Sequence, residues 1–179
     1  MQSVKCLFSS RDDLCGDSKR CLKIRLFSHD NGGNYGVALT YDSGSQVLGG
    51  EFFNNGTGVY AHGSGILVDG VKAYGNSNAG ITVGGGSSNY SIIQNNQAYD
   101  NRYGIQKNQF VDVLNNEAWG NSEAGIYSHS SDGLVSGNTV YSNKNGINAG
   151  FSNVHVVDNL VFNNESGISG GSVIANNEI

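Results

Sequence analysis

Two five-residue segments carry the same pair of proton-transferring side chains, Gly58-Val-Tyr-Ala-His62 and Gly125-Ile-Tyr-Ser-His129. Tyr and His are the residue types needed to take a proton from a carbon and to return one, with base and acid on opposite faces of the substrate. Tyr60 and His62, and Tyr127 and His129, are therefore the candidate catalytic residues, weighed against the plainer reading that exposed Tyr and His decorate a flat strand. The related segment Gly104-Ile-Gln-Lys-Asn108 supplies Lys107, a cation able to neutralise a substrate carboxylate. Gln106 and Asn108 beside it, and Thr82 in the preceding segment, are the candidate substrate-binding polar groups. The chain contains no Gly-x-Ser-x-Gly, His-Glu-x-x-His, phosphate-loop or dinucleotide fingerprint. No cofactor is expected. Calcium has no supporting motif, because Gly84-Gly85-Gly86 lacks partners at nine-residue intervals.

These segments belong to a repeat. Gly followed by Ile or Val recurs at Gly36, Gly58, Gly80, Gly104, Gly125, Gly146 and Gly167, at intervals of 21 to 24 residues. A fixed period in this range marks a solenoid. Each repeat holds three short β-type runs separated by Gly, Ser and Asn, and none has helical apolar spacing over ten residues. Leucine-rich repeats need a Leu frame that is missing. The expected fold is all-β, a single-stranded right-handed parallel β-helix of about seven turns of ~21 residues with three parallel sheets. Residues 21–179 form it, and residues 1–20 form an irregular N-terminal cap or remnant.

Composition agrees. The 179 residues include 27 Gly, 24 Asn and no Pro, with only 37% apolar and 14% charged. Proline is excluded where each strand must donate its N–H to a neighbour. Asn falls into two columns, Asn96, Asn116, Asn138, Asn159 and Asn177, and Asn55, Asn76, Asn101, Asn121, Asn143 and Asn164. Asn tolerates left-handed backbone angles, and its amide can donate to one turn while accepting from another. An aromatic column runs through Phe53, Tyr74, Tyr99, Trp119, Tyr141 and Phe162, read chiefly as a ladder contact. One further turn places Ile24, Phe27 and Asn31 in the apolar, aromatic and Asn positions. Strand alternation sends the second and fourth residues after each repeat Gly outward. Tyr60-His62 and Tyr127-His129 then lie three turns apart, about 14 Å at ~4.8 Å per turn. Lys107 falls inward, where it is expected to escape the core through a local distortion.

The net charge is −5, with six of the ten Lys and Arg in residues 1–25 against three Asp there. The acidic remainder has no electrostatic footprint for nucleic acid. No apolar run reaches the ~20 residues of a membrane span. Cys6, Cys15 and Cys21 match no zinc spacing; either Cys15–Cys21 is a disulfide or all three are thiols. The chain stops at Ile179 in mid-turn, as expected for a fragment of a longer protein or for ends covered by a partner. The sequence does not fix the oligomeric state.

From Gly36 onward the repeats resemble the pectin-lyase-like β-helix superfamily. Within it, His29-Asp30-Asn31-Gly32 through Gly36-Val-Ala-Leu-Thr40, followed by Asn54-Asn55-Gly56, resembles the catalytic module of mannuronan C5-epimerases. Those enzymes convert β-D-mannuronate to α-L-guluronate within alginate and are related in mechanism to alginate lyases. Their motif reads Tyr-Gly-Phe-Asp-Pro-His. Gly58-Val-Tyr-Ala-His62 and Gly125-Ile-Tyr-Ser-His129 keep its His place and put Tyr in its Asp place, while Asp13 is the acidic residue one turn before His29-Asp30. The resemblance implies an extracellular or cell-surface protein with an anionic, alginate-like polysaccharide as partner and C5 epimerisation or a related lyase reaction as activity. The competing expectation is a noncatalytic β-helix module for glycan binding or surface structure.

Overall fold

The computed structural model describes residues 21–22, 27–86, 89–150 and 153–179. The expected cap at 1–20, Asp13, Ile24 and the pairing of Cys6, Cys15 and Cys21 lie outside the described residues and side chains. Every helix or strand among the described residues is β, and the strands form three sheets. The first sheet has eight strands, from Cys21–Leu22 to Val173–Ala175. The second has seven, from Phe27–His29 to Leu160–Phe162, and the third seven, from Tyr35–Ser43 to Ser166–Gly170. Each turn visits the three sheets in that order, and each strand pairs in parallel with those one turn before and after it. This is the expected β-helix, with a period of about 21 residues.

The core is a tube filled by register. In the third sheet Val37, Val59, Ile81, Ile105, Ile126, Ile147 and Ile168 are successive partners. Phe52, Ala73, Ala98, Ala118, Val140 and Val161 do the same in the second. Most of these side chains are fully buried, and each large one contributes about 1.5–3 kcal/mol. The repeat glycines are required by close approach. A Cβ on Gly104 would lie 2.5 Å from the Gly125 carbonyl oxygen and 2.8 Å from Asn121 Nδ2, so any side chain there displaces the next turn.

Both Asn columns are buried ladders at the two tight corners. Asn116 Nδ2 donates to Asn138 Oδ1 at 3.0 Å and back to Ile93 C=O at 2.9 Å, while its Oδ1 accepts from Asn96 Nδ2 at 2.9 Å and Asn96 N–H at 3.0 Å. Asn101, Asn121 and Asn143 repeat the pattern at the other corner. One expectation is corrected: the ladder Asn is not the left-handed residue. Positive φ falls on the residue before it, as at Asn54, Asn95, Asp100, Asn115, Ser142 and Asn163. The corner turns on that residue, and the ladder Asn then points its amide down the axis.

The aromatic column is a stack from His29 to Phe162, with centroids 4.3 to 5.8 Å apart and planes within 10°. Its first member corrects another expectation. His29, not Phe27, pairs with Phe53 and stacks on it at 4.8 Å. The corner explains this: ladder residues follow the ring by two positions, and Asn31, which donates to Asn55 Oδ1 at 2.8 Å, follows His29 by two. Ring faces in this stack are used on one another, so the second sheet offers ring edges to solvent.

Candidate functional site

The two Tyr-x-His segments lie on the outer face of the third sheet. Ala38, Tyr60, Thr82, Gln106, Tyr127, Asn148 and Ser169 are successive register partners. Tyr60 and Tyr127 thus share one column three turns apart, about 14 Å at the spacing of parallel strands. Both Tyr side chains are half-buried, and His62 and His129 are exposed. The structure brings each Tyr next to its own His and keeps the two pairs apart. Tyr127 and His129 meet edge to face, with centroids at 4.6 Å.

Each pair also has a second Tyr, one turn earlier, that strand alternation passes over. Tyr35 stacks on Tyr60 at 4.6 Å, and Tyr103 leans on Tyr127 at 5.3 Å. Tyr35 and Tyr103 occupy one register position, three turns apart, with Thr57, Ala79 and Ala124 as small neighbours in that column. Each precedes a repeat Gly. Because that Gly and the Ile or Val after it are both directed inward, a count of two back from Gln106 lands on Gly104 and misses Tyr103. The readable signal was Tyr-Gly at 35 and 103, one turn ahead of Gly-x-Tyr-x-His. Arg102, also not anticipated, is an exposed turn residue with its guanidinium 5.1 Å from the Tyr103 ring centroid. It places a cation beside the Tyr103–Tyr127–His129 cluster.

The expected binding residues have different surroundings. Thr82 Oγ–H donates to Gln106 Oε1 at 3.1 Å, and Gln106 Nε2 lies 3.3 Å from His129 Nε2. Gln106 is only 6% exposed, so its amide is committed to these neighbours. Although His129 is exposed overall, partial desolvation of its ring against the sheet lowers its pKa below the ordinary value, which favours neutral imidazole. Asn108 and His62 approach Gly84 from adjacent turns: a Cβ on Gly84 would lie 2.5 Å from His62 Nδ1 and 3.3 Å from Asn108 Nδ2. Gly84 is thus the floor on which His62 rests.

Lys107 corrects the expectation that it escapes the core. Its strand keeps register on both sides, with Val83 and Ser128 as partners, and the residue is 0% exposed. Nζ donates to Asn108 C=O at 3.2 Å and to Asp132 C=O. Burial pushes its pKa down to about 8, against the opposing pull of Asp112 and Asp132. It has no surface from which to meet a polymer carboxylate. Arg102, on the corner just before this strand, is the exposed cation nearest the Tyr103 ring among the described residues.

A groove of about 320 Å³ on the first sheet is lined by Tyr90, Asp112, Asp132, Leu134, Asn153 and His155. Its two carboxylates oppose an anionic ligand. Among the described residues no three His, Cys, Asp or Glu side chains are placed to hold a metal ion. The motif residues His29 and Asp30 pair with each other at 2.8 Å on the second sheet and its corner, away from both Tyr-x-His pairs. The hydrogen bond from His29 holds the Asp30 carboxyl below its ordinary pKa.

A family model of the right-handed β-helix region matches residues 35–179. The chain belongs to the right-handed β-helix family. Comparison with curated proteins and with solved structures gives no match. In this β-helix both Tyr/Tyr/His clusters fall inside the matched span, and no helix among the described residues is long and apolar enough to cross a membrane.

Proposed function

We propose that this β-helix holds an anionic, alginate-like polyuronate along the outer face of its third sheet and exchanges the C5 proton of a uronate unit at Tyr127 and His129, the chemistry of a mannuronan C5-epimerase. The observation that carries the reading is the cluster of Arg102, Tyr103, Tyr127 and His129, a cation beside two phenols and an imidazole whose partial desolvation favours the neutral form. Pairing a uronate carboxylate with Arg102 acidifies the neighbouring C–H, because the charge formed on loss of H5 spreads onto that carboxylate. Tyr127 and His129 are the groups placed where the proton leaves and the carboxylate charge develops. The matching cluster at Tyr35, Tyr60 and His62, about 14 Å along the axis, holds a second stretch of the same chain a few sugar units away. Such a polymer places the protein outside the cell or at its surface.

A second reading is a noncatalytic glycan-binding module. It is favoured by the flatness of the face: both clusters project from one side of one sheet, whereas epimerisation needs groups on both faces of the sugar ring. Incubation with polymannuronate in heavy water separates the two. Deuterium at C5 or an unsaturated product supports the enzyme, and binding without either supports the module. Absence of binding refutes both.

A further inference from the structure

The two clusters differ in what lies one turn before the Tyr. Tyr127 has Gln106 as its partner, and Tyr60 has Ala38. Gln106 reaches diagonally to His129, whose backbone N–H donates to Lys107 C=O at 2.8 Å and so fixes the residue above the amide. The amide sits with Oε1 toward the Thr82 hydroxyl, which donates to it. Because the Thr82 hydroxyl donates to Oε1, the Nε2–H group of Gln106 is the one that faces His129. A donor facing Nε2 of an imidazole requires a lone pair there, and a neutral imidazole with a lone pair on Nε2 carries its proton on Nδ1.

We infer that Gln106 is a positioning residue that holds His129 as the neutral Nδ1–H tautomer, presenting a hydrogen-bond donor to the ligand. Protonating Nε2 would set two donors against each other and break the Thr82–Gln106–His129 chain. Resting on the epimerase reading, the assignment divides the labour within the pair. His129 hydrogen-bonds through Nδ1–H to an oxygen of the uronate carboxylate as negative charge develops there; Tyr127 in its phenolate form takes H5, water returns a proton to C5 from the open side, and the hydroxide left behind takes the phenol proton. Ala38 holds the place of Gln106 one turn before Tyr60 and has no amide, so the Gln clamp is a feature of the His129 cluster.

The test is the ring nitrogen shifts of ¹⁵N-histidine-labelled protein, without ligand, for the wild type, Gln106→Leu and Thr82→Val. Expected is the Nδ1–H pattern for His129 in the wild type, conversion of most of the population to the commoner Nε2–H form in Gln106→Leu, and a mixture in Thr82→Val. The His62 signal, from the same spectra, is expected to stay unchanged. Nε2–H in the wild type, or the same tautomer in wild type and Gln106→Leu, overturns the inference. If Gln106→Leu fails to fold, the wild-type spectrum and Thr82→Val still decide it. The spectra need no substrate, so absence of epimerase activity leaves this result standing, and a wrong tautomer leaves the epimerase assay standing.

Discussion

Lys107 makes the protein more stable as the pH rises through a range where most proteins lose stability. Its ammonium is enclosed, and burial lowers its pKa from 10.5 to about 8. The unfolded chain, with the ordinary value, binds that proton more tightly than the folded one. Between pH 8 and 10.5 unfolding therefore takes up a proton, and stability rises with pH. A fall from 10.5 to about 8 corresponds to about 3.4 kcal/mol in all, of which about 2 kcal/mol develops between pH 7 and pH 9.5. Urea unfolding of the wild type and of Lys107→Met, compared at the same pH values, isolates the effect, since all other groups titrate in both proteins. The wild type is expected to gain about 2 kcal/mol on Lys107→Met from pH 7 to pH 9.5. A difference that stays flat over this range, or moves in favour of Lys107→Met, refutes the picture of a charged lysine confined in the core.

Four further outcomes follow from the same geometry. Asn116→Ala removes the acceptor for the Asn96 amide and backbone N–H and the donor to Ile93 C=O. Each orphaned buried group costs about 1–3 kcal/mol, so the urea midpoint falls sharply, whereas exposed Asn78→Ala changes it little. Gly104→Ala drives a methyl against Gly125 C=O and Asn121 Nδ2 and is expected to destabilise the fold, outweighing the roughly 0.4–1 kcal/mol that Gly→Ala gains at unstrained sites; a stabilised variant contradicts the close approach. Arg102→Ala weakens binding to polymannuronate by roughly tenfold at low salt and by less at high salt, because the lost contact is a screened charge; calorimetry at two ionic strengths reads this. His129→Ala lowers C5 exchange by orders of magnitude while His62→Ala leaves the exchange rate per bound chain within about twofold, a contrast expected because Gln106 reaches His129 beside Tyr127.

The fold was legible because the period is long-range and redundant. Seven Gly-Ile or Gly-Val pairs at one repeat position, two Asn columns and the absence of Pro all specify the same tube. Local chemistry was less legible where the partner lies a turn away. Lys107 could be placed inward from its position after Gly104, but the acceptors that keep it there are carbonyls, one of them at Asp132, 25 residues on. Phe27 drew the aromatic assignment by residue type, while register put His29 in the stack. Tyr103 was hidden by the break in alternation at Gly104, and Arg102 by its place on a corner. The Tyr-x-His pairs themselves were visible, since their side chains face outward from a regular strand, but the difference between them, Gln106 against Ala38, appears only when turns are aligned in space.

The central claim is that the third sheet is the face that meets the polymer. Backbone amide shifts of the labelled protein, followed during titration with short mannuronate oligomers, map that contact residue by residue. The largest changes are expected in strands Thr57–Ser64, Tyr103–Lys107 and Ala124–Ser128 and at Arg102 and His129, which flank the last two. Changes confined to the first-sheet groove around Asp112 and Asp132, or to the stacked aromatic edge of the second sheet, would contradict it.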